Sequence, residues 1–511
     1  MIDTNALRKK VLDLAIRGKL VPQNPNDEPA SILLERIREE KQRLIREGKI
    51  KKDKVDSIIF RGEDNCHYEK IGDVVKKIED EIPFVIPKTW CWVRFPQIVS
   101  YKMGKTPERA NISFWKNGNI PWISISDMES GRILLSTKEK ITEKAFDEKF
   151  DAVYSPAGTL IMSFKLTVGR TSILGVNAVH NEAIISIFPY LNYDNIIRDY
   201  LLKTLEGIVQ FVDKRDAIKG ITLNSKKLDN MLIPLPPLNE QRRILDFWSK
   251  AEAEIIKLEQ NQIDYYSLVD SLKKAILQSA IQGKLVEQDG SDEPASELLA
   301  RIRAEKRAQL GKKYVESYIF KGVDNRYYEH IGDNDKDINE EIPFDLPNNW
   351  CFTRLNEYLD VRDGTHDSPK YCESGYPLVT SKNLSNGAID FSTAKMISEK
   401  DYIAINERSF VDNNDILFAM IGSIGNPVLV KKDRDFAIKN MALFKQRTLI
   451  QNMEYMLYYF TYIQDSLRRK TSGALQPFIS LNFFRNLIIP IPPLAEQERI
   501  VSKINEIFAQ L

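Results

Sequence analysis

From Trp248 onward apolar residues fall at alternating intervals of three and four: Trp248, Ala251, Ile255, Leu258, Tyr265, Val269, Leu272 and Ile276, with the polar Gln262 and Ser279 as the only breaks. That spacing is the seam of a coiled-coil helix, and a helix over 238–285 is about 70 Å long at about 1.5 Å per residue. Gly283 marks its C-terminal end. Both chain ends carry fragments of the same seam. Ile504, Ile507 and Leu511 take the places of Trp248, Ala251 and Ile255, while Leu7 and Val11 take those of Leu272 and Ile276. Each terminus reads as half of the central helix. Docked end to end, the halves would imitate a second long helix antiparallel to the first and give a pseudo-twofold molecule; packing of each half on a local core is the plainer alternative.

The self-similarity extends through most of the chain, and a repeat decides architecture before any local pattern does. Residues 7–20 (LRKKVLDLAIRGKL) recur as 272–285 (LKKAILQSAIQGKL), and 27–41 (DEPASILLERIREEK) as 292–306 (DEPASELLARIRAEK). After a five-residue deletion, IIFRGEDN ending at Asn65 pairs with YIFKGVDN ending at Asn325, and IPFVIPKTWC ending at Cys91 with IPFDLPNNWC ending at Cys351. Farther on, IPLPPLNEQRRI (233–244) pairs with IPIPPLAEQERI (489–500). Asp27 with Pro29, and Asp292 with Pro294, look like N-caps followed by an early-helix proline, opening charged helices that end near Gly48 and Gly311. Those charges read as a solvated face, or less often as a partner surface.

The repeated frame brackets two inserts that resemble each other only faintly. In the first, β-branched and aromatic runs alternate with turn signals (IPWISI, GRILLS, GTLIMSF, TSILGV, AIISIF), and a helix over 196–211 follows. The second repeats the order with YPLVTS, DILFAMIG, NPVLVKK and MALFK, then a helix over 453–469. The fold class is therefore α+β: a helical region and linker (1–81), a globular insert (82–237), the central helix and linker (238–341), a second globular insert (342–493) and a C-terminal half-helix (494–511).

Composition narrows the function. The 511 residues have a net charge of +1, which does not announce nucleic acid. Its distribution is more telling: 20 basic against 15 acidic residues in 82–237 and 17 against 16 in 342–493, a combined excess of +6 that leaves −5 elsewhere. Four cysteines without C-x-x-C spacing and four unclustered histidines offer no metal site. The apolar stretches are too short to cross a membrane and the first twenty residues lack a signal-peptide core, so a cytoplasmic address is expected. Neither a G-x-x-x-x-G-K-[ST] phosphate loop nor an N-P-P-[YF] adenine-methylation motif is present. Short strings such as Asp147-Glu148-Lys149 arise freely in a chain this charged and do not make a nuclease.

Taken in order, these motifs resemble the specificity subunits of type I restriction-modification systems over nearly the whole chain. The landmarks are Gly104-Lys105-Thr106-Pro107, Trp122-Ile123 with Ser126-Asp127, and the stretch 158–169; then Gly364-Thr365-His366, Thr380-Ser381-Lys382-Asn383 and the stretch 415–425. The second domain lacks the proline of the G-x-T-P form. The resemblance implies two target recognition domains that read double-stranded DNA, no catalytic residue or cofactor in this chain, and helices that dock two methyltransferase subunits, with restriction subunits joining them. A helical scaffold with no DNA specificity is the rival reading.

Base edges are read by hydrogen-bonding side chains, while Lys, Arg and small hydroxyls on loops hold phosphates. The turn-rich loops offer Lys102, Lys105, Thr106, Ser126, Lys165 and Arg170 in the first domain, and Arg362, Thr365, His366, Ser381, Lys382, Asn383 and Ser423 in the second. Each has a plainer reading as a solvated loop residue, and Thr106 or Ser381 as satisfying a turn. Asp127 is expected to cap or brace its loop. Lys214-Arg215 and Arg468-Arg469-Lys470 either contact phosphates or satisfy helix C-termini.

Overall fold

The computed structural model describes residues 1–51, 56–165, 167–212, 223–471 and 478–511. Two compact units, Met1–Ile263 and Asp264–Leu511, meet inside the central helix. That helix spans Leu238–Ile281, 44 residues, and stops four short of the expected Leu285. Gly283 follows in the left-handed region at φ +67°, as the C-terminal glycine requires.

In the first unit the helix Thr4–Ile16 runs antiparallel to the first half of the central helix. The Ile2 N–H donates to Gln262 Oε1 at 3.1 Å, and Arg8 pairs with Glu259 at 2.6 Å and Glu252 at 2.8 Å. In the second unit the parts are exchanged: the second half of the central helix takes the role of the N-terminal helix, and Leu494–Phe508 that of the helix start. Lys273 lies over the Phe508 ring at 5.4 Å, and Ile276 and Ile504 share one core.

The seam is buried at Ile255, Ile276 and Ile504 and half-buried at Val11, Trp248, Leu258, Val269, Ile507 and Leu511. Tyr265 and Leu272 depart from the expectation, at 54% and 43% exposed, and Leu7 is only partly covered. The physical reason is the reach of the partner helices: the N-terminal one gives out opposite Gln262 and the C-terminal one opposite Lys273. A heptad position without a facing helix buries little, and of the three seam positions between those limits only Val269 is half-buried.

Each insert is a small α+β domain. In the first, a five-stranded sheet runs in the order Val99–Met103, Ile184–Pro189, Leu160–Ser163, Thr171–Leu174, Arg132–Leu134; only the last pair is parallel. A smaller sheet sets Ile120–Ile123 between Val179–His180 and Glu139–Ile141. The second insert has a four-stranded antiparallel sheet, Asp360–Asp363, Met441–Lys445, Ile416–Ala419, Gly425–Leu429, with its own small sheet around Tyr376–Val379. The expected helices appear as Ile196–Ile208 and Met453–Thr471 and cover these sheets.

The matched motifs now have a mechanical meaning. Trp90 Nε1 donates to Glu240 at 2.9 Å, Gln23 donates to the same buried carboxylate, and Gln241 donates to the Pro236 carbonyl at 2.9 Å. Trp350, Gln288, Glu496 and Gln497 repeat this joint. W-C and PPLxEQ are thus the two halves of one lock between frame and domain. Asp27 and Asp292 belong to the same joint and are not N-caps. They pair with Arg243 and Arg499, while Pro29 and Pro294 occupy the cap positions without a side-chain bond. The first helical N–H groups are already taken by protein carbonyls, Ala30 donating to Thr89 and Ala295 to Asn349, both at 2.9 Å, and the carboxylate gains more from a guanidinium.

The linkers hold structure that the reading as linker missed. Ser57–Arg61, His67–Ile71 and Val74–Lys77 form a three-stranded antiparallel sheet, and Ser317–Lys321, Tyr327–Ile331 and Asn334–Asp337 form its counterpart. Arg94 clamps the first to its domain through Glu69 and Glu81, both at 2.7 Å, and the Asn230 carbonyl at 2.6 Å. Arg354 does the same with Glu329, Glu341 and the Asn486 carbonyl.

Candidate nucleic-acid interface

Three loops recur in both domains, and each is positioned by backbone contacts that the sequence does not display. The first follows the sheet's edge strand. Gly104 passes so near the neighbouring strand that a Cβ would lie 2.0 Å from the His180 carbonyl oxygen; at Gly364 the corresponding distance to Ile438 is 2.4 Å. Lys105 N–H donates to His180 O at 2.9 Å, and Thr365 N–H to Ile438 O at 3.1 Å. The next residue finishes the loop: the Thr106 hydroxyl donates to Glu182, and His366 Nδ1 stands 2.9 Å from Asn440 Oδ1. The second domain keeps the loop without the proline, with His366 and Asn440 in the places of Thr106 and Glu182. Lys102 and Lys105 remain exposed.

A capping box builds the second loop. Asp127 accepts from the Ser124 N–H and hydroxyl, both at 2.8 Å, and from Lys138 N–H at 3.0 Å, which is the expected bracing role. Ser126 projects from the turn, its hydroxyl 2.8 Å from that of Ser124. Asn383 takes the place of Asp127 and corrects the expectation that it contacts bases. Only 3% exposed, it accepts from Thr380 and donates to the Asp390 carbonyl at 3.0 Å and the Thr393 hydroxyl at 3.2 Å. Its amide has no capacity left for a base edge. Lys382 is exposed and Ser381 half-buried on the same turn.

The third loop crosses the second. Arg170 donates to the carbonyls of Ile125 and Met128, both at 3.3 Å, so this candidate phosphate ligand also acts as a brace. Asn426 makes the equivalent bond to the Leu384 carbonyl at 3.3 Å. Arg468 grips the turn through the Ile424 carbonyl at 2.6 Å and Asn426 Oδ1 at 2.8 Å, which resolves its role toward loop support. Gly425 sits at φ +105°, and Ser423 and Lys165 are exposed at the tips. Lys214 and Arg215 lie outside the described residues.

The second domain also contains a polar chain. Arg362 pairs with Asp360 at 2.7 Å and donates to the Arg408 carbonyl at 3.1 Å; Arg408 in turn reaches Asp363, which stands 2.9 Å from His366 Nε2. In the first domain the sequence reading missed Arg109, whose guanidinium lies 4.0 Å from the Trp115 ring and 4.7 Å from the Trp122 ring. Its pairing with Glu139 raises its pKa above the ordinary guanidinium value. The only signal was its place just after G-x-T-P. His180, beneath the first loop, is pushed down to about 4 by burial and so stays neutral, with Nε2 2.7 Å from the Ser186 hydroxyl.

Cationic tips, hydroxyls and braced turns suit binding to a polyanion with hydrogen-bonding edges. Among the described residues, no cluster of three or more His, Cys, Asp or Glu could hold a metal, and no helix is long and apolar enough to cross a membrane.

Comparison with known proteins agrees. The family described as type I restriction modification DNA specificity domain matches residues 87–265 and 347–511. The EcoAI specificity subunit of Escherichia coli is 28% identical over 98% of this chain and 88% of its own length. The EcoEI specificity subunit from the same organism is 26% identical over the same shares. Among solved structures, the HsdS subunit from Thermoanaerobacter tengcongensis aligns with a TM-score of 0.39 at 17% identity, covering 84% of this chain and 91% of that one.

Proposed function

This chain belongs to the type I restriction-modification DNA specificity family, and on that premise we propose how its two domains divide one task. It is a non-catalytic specificity subunit with two DNA specificity domains. Each domain reads one half of a bipartite double-stranded target, and the bases between the halves are not read. One observation carries this reading: the three loops share a backbone plan, yet different side chains stand at equivalent places. Lys105 faces the role of Thr365, Thr106 that of His366, and Arg170 that of Asn426. A common scaffold with different donors is what two unlike half-sites call for.

The exposed lysines (Lys102, Lys105, Lys165 and Lys382) hold phosphates, while Thr106, Ser126, Thr365, His366, Ser381 and Ser423 lie where a groove would meet them. The helices dock two methyltransferase subunits, which supply adenine methylation from S-adenosylmethionine, and restriction subunits join that core in the cytoplasm. Exposed Ile263, Tyr266 and Leu268 on the central helix support such docking, since solvent gives apolar groups there no stabilisation. This chain itself uses no cofactor.

The test is to co-express the chain with its methyltransferase and map modified adenines across a genome. The expected result is a split motif, and exchanging residues 342–493 for another reader should change one half only. A continuous motif, or a change in both halves, would overturn the reading.

A further inference from the structure

Beside the first loop of the first domain one guanidinium is held in a fixed plane. Arg109 follows Gly104-Lys105-Thr106-Pro107 and sits in the corner of two indole rings, 4.0 Å from Trp115 and 4.7 Å from Trp122, which meet edge to face at 88°. Both rings are tied back to the same loop. Trp115 Nε1 donates to the Glu108 carbonyl and Trp122 Nε1 to the Lys105 carbonyl, each at 3.1 Å. Stacking and the pairing with Glu139 leave the side chain little rotamer freedom to lose when a ligand arrives.

The donors still free decide what that ligand can be. Glu139 accepts from Nη1 at 2.5 Å and from Nη2 at 3.0 Å, which spends one N–H on each terminal nitrogen. The Nε–H and the second N–H of Nη2 lie parallel on one edge of the plane and have no partner among the described residues, on a side chain 52% exposed. That edge belongs with the loop tips. Glu182, held below the ordinary carboxylate range first by the Thr106 hydroxyl, also feels the charges of Lys165 and Arg109, so the guanidinium lies beside the first and third loops.

Two parallel donors match two acceptors side by side. In the major groove guanine alone presents such a pair, O6 and N7; adenine sets a donor beside its acceptor, thymine has one acceptor and cytosine a donor. A phosphate is the other two-acceptor partner, and charge speaks against it. Glu139 already neutralises Arg109, and Glu182 adds a second carboxylate nearby. A neutral base edge meets no such repulsion. The second domain has none of these parts. Leu378 stands opposite Lys395 where Trp122 stands opposite Glu139, and Pro369 occupies the place after Gly364 that Arg109 occupies after Gly104. Lys395 rests 4.3 Å over the Tyr371 ring and offers a compact ammonium in place of a fork.

We propose that Arg109 is a specificity-determining residue of the first domain, reading one guanine through its Nε–H and Nη2–H, with Trp115, Trp122 and Glu139 as the residues that position it. The inference rests on the reading above that this domain meets the bases of one half-site, and names one of those bases.

The experiment uses the full chain with its co-expressed methyltransferase. Mapping modified adenines gives the motif, and the exchange of residues 342–493 tells which half belongs to the first domain. Duplexes of that motif are then titrated with each guanine of the first half, on either strand, replaced in turn by 7-deazaguanine, which lacks the N7 acceptor. The unmodified complex should lose affinity severalfold at one such position. Arg109→Met keeps the packing on the indoles without the fork, and Arg109→Met with Glu139→Gln also keeps the net charge. Both should abolish that one sensitivity and lower discrimination against adenine there by roughly 5- to 150-fold, with the second half-site read as before. Equal affinity of the unmodified complex for every 7-deazaguanine duplex overturns the inference, as does a first half-site without guanine. Sensitivity that persists in both variants reduces Arg109 to a brace. Uniform weakening on all duplexes with a shallower salt dependence overturns base reading in favour of a phosphate contact. Absence of a split motif overturns the functional reading itself, and this inference with it.

Discussion

Trp90→Phe tests the joint between frame and domain. The substitution keeps an aromatic ring but removes the indole N–H that reaches Glu240 at 2.9 Å. Glu240 is 1% exposed, so no solvent replaces the lost donor, and Gln23 alone remains on the carboxylate. A hydrogen bond to a charged group contributes about 1.5–3 kcal/mol, a roughly 10- to 150-fold change in the opening equilibrium. Burial already pushes the Glu240 carboxyl above the ordinary 4.5, and loss of the donor pushes it higher. A carboxyl whose folded pKa is raised gains stability as pH falls through that value, because the folded state binds the proton more readily. The cost of Trp90→Phe should therefore be largest where Glu240 is ionised and shrink in acid. Hydrogen-exchange protection of residues 18–30 and 233–246, compared at about pH 8 and about pH 5, measures this. Trp350→Phe should act likewise on the Glu496 joint. Unchanged protection, or an equal loss at both pH values, would refute the argument.

Two further outcomes follow from the first domain's loop. Gly104→Ala should destabilise it by about 1–3 kcal/mol and blur the first half-site, because the new methyl group meets backbone oxygens that cannot swing aside. Gly290→Ala, which meets open space, should stay within about 0.5 kcal/mol in the same urea titration. His180, held at about 4 against the ordinary 6.5, should make its domain acid-sensitive. Its folded pKa is depressed, so the unfolded chain takes the proton first and stability falls as pH drops from 6.5 toward 4. The loss approaches about 1.4 kcal/mol per pH unit. Exchange over 178–189 should show it, and exchange over 436–445, where Ile438 holds the equivalent place, should not.

The sequence determined the architecture because the features that set it are periodic or repeated. Three-and-four spacing from Trp248 to Ile276 named a helix, and the paired W-C and PPLxEQ motifs named two framed domains. Periodicity survives in one dimension, since side chains on one helix face recur at fixed intervals. What the seam could not tell was where a partner helix stops, which left Tyr265 and Leu272 exposed. The site was legible only as loops. Whether Asn383 faces a groove or fills a cap depends on Thr380, Asp390 and Thr393. Whether the Arg170 guanidinium is wholly free depends on carbonyls more than forty residues away. A polar side chain's function is set by which of its donors the fold has already spent, and only the tertiary structure brings those distant acceptors within reach.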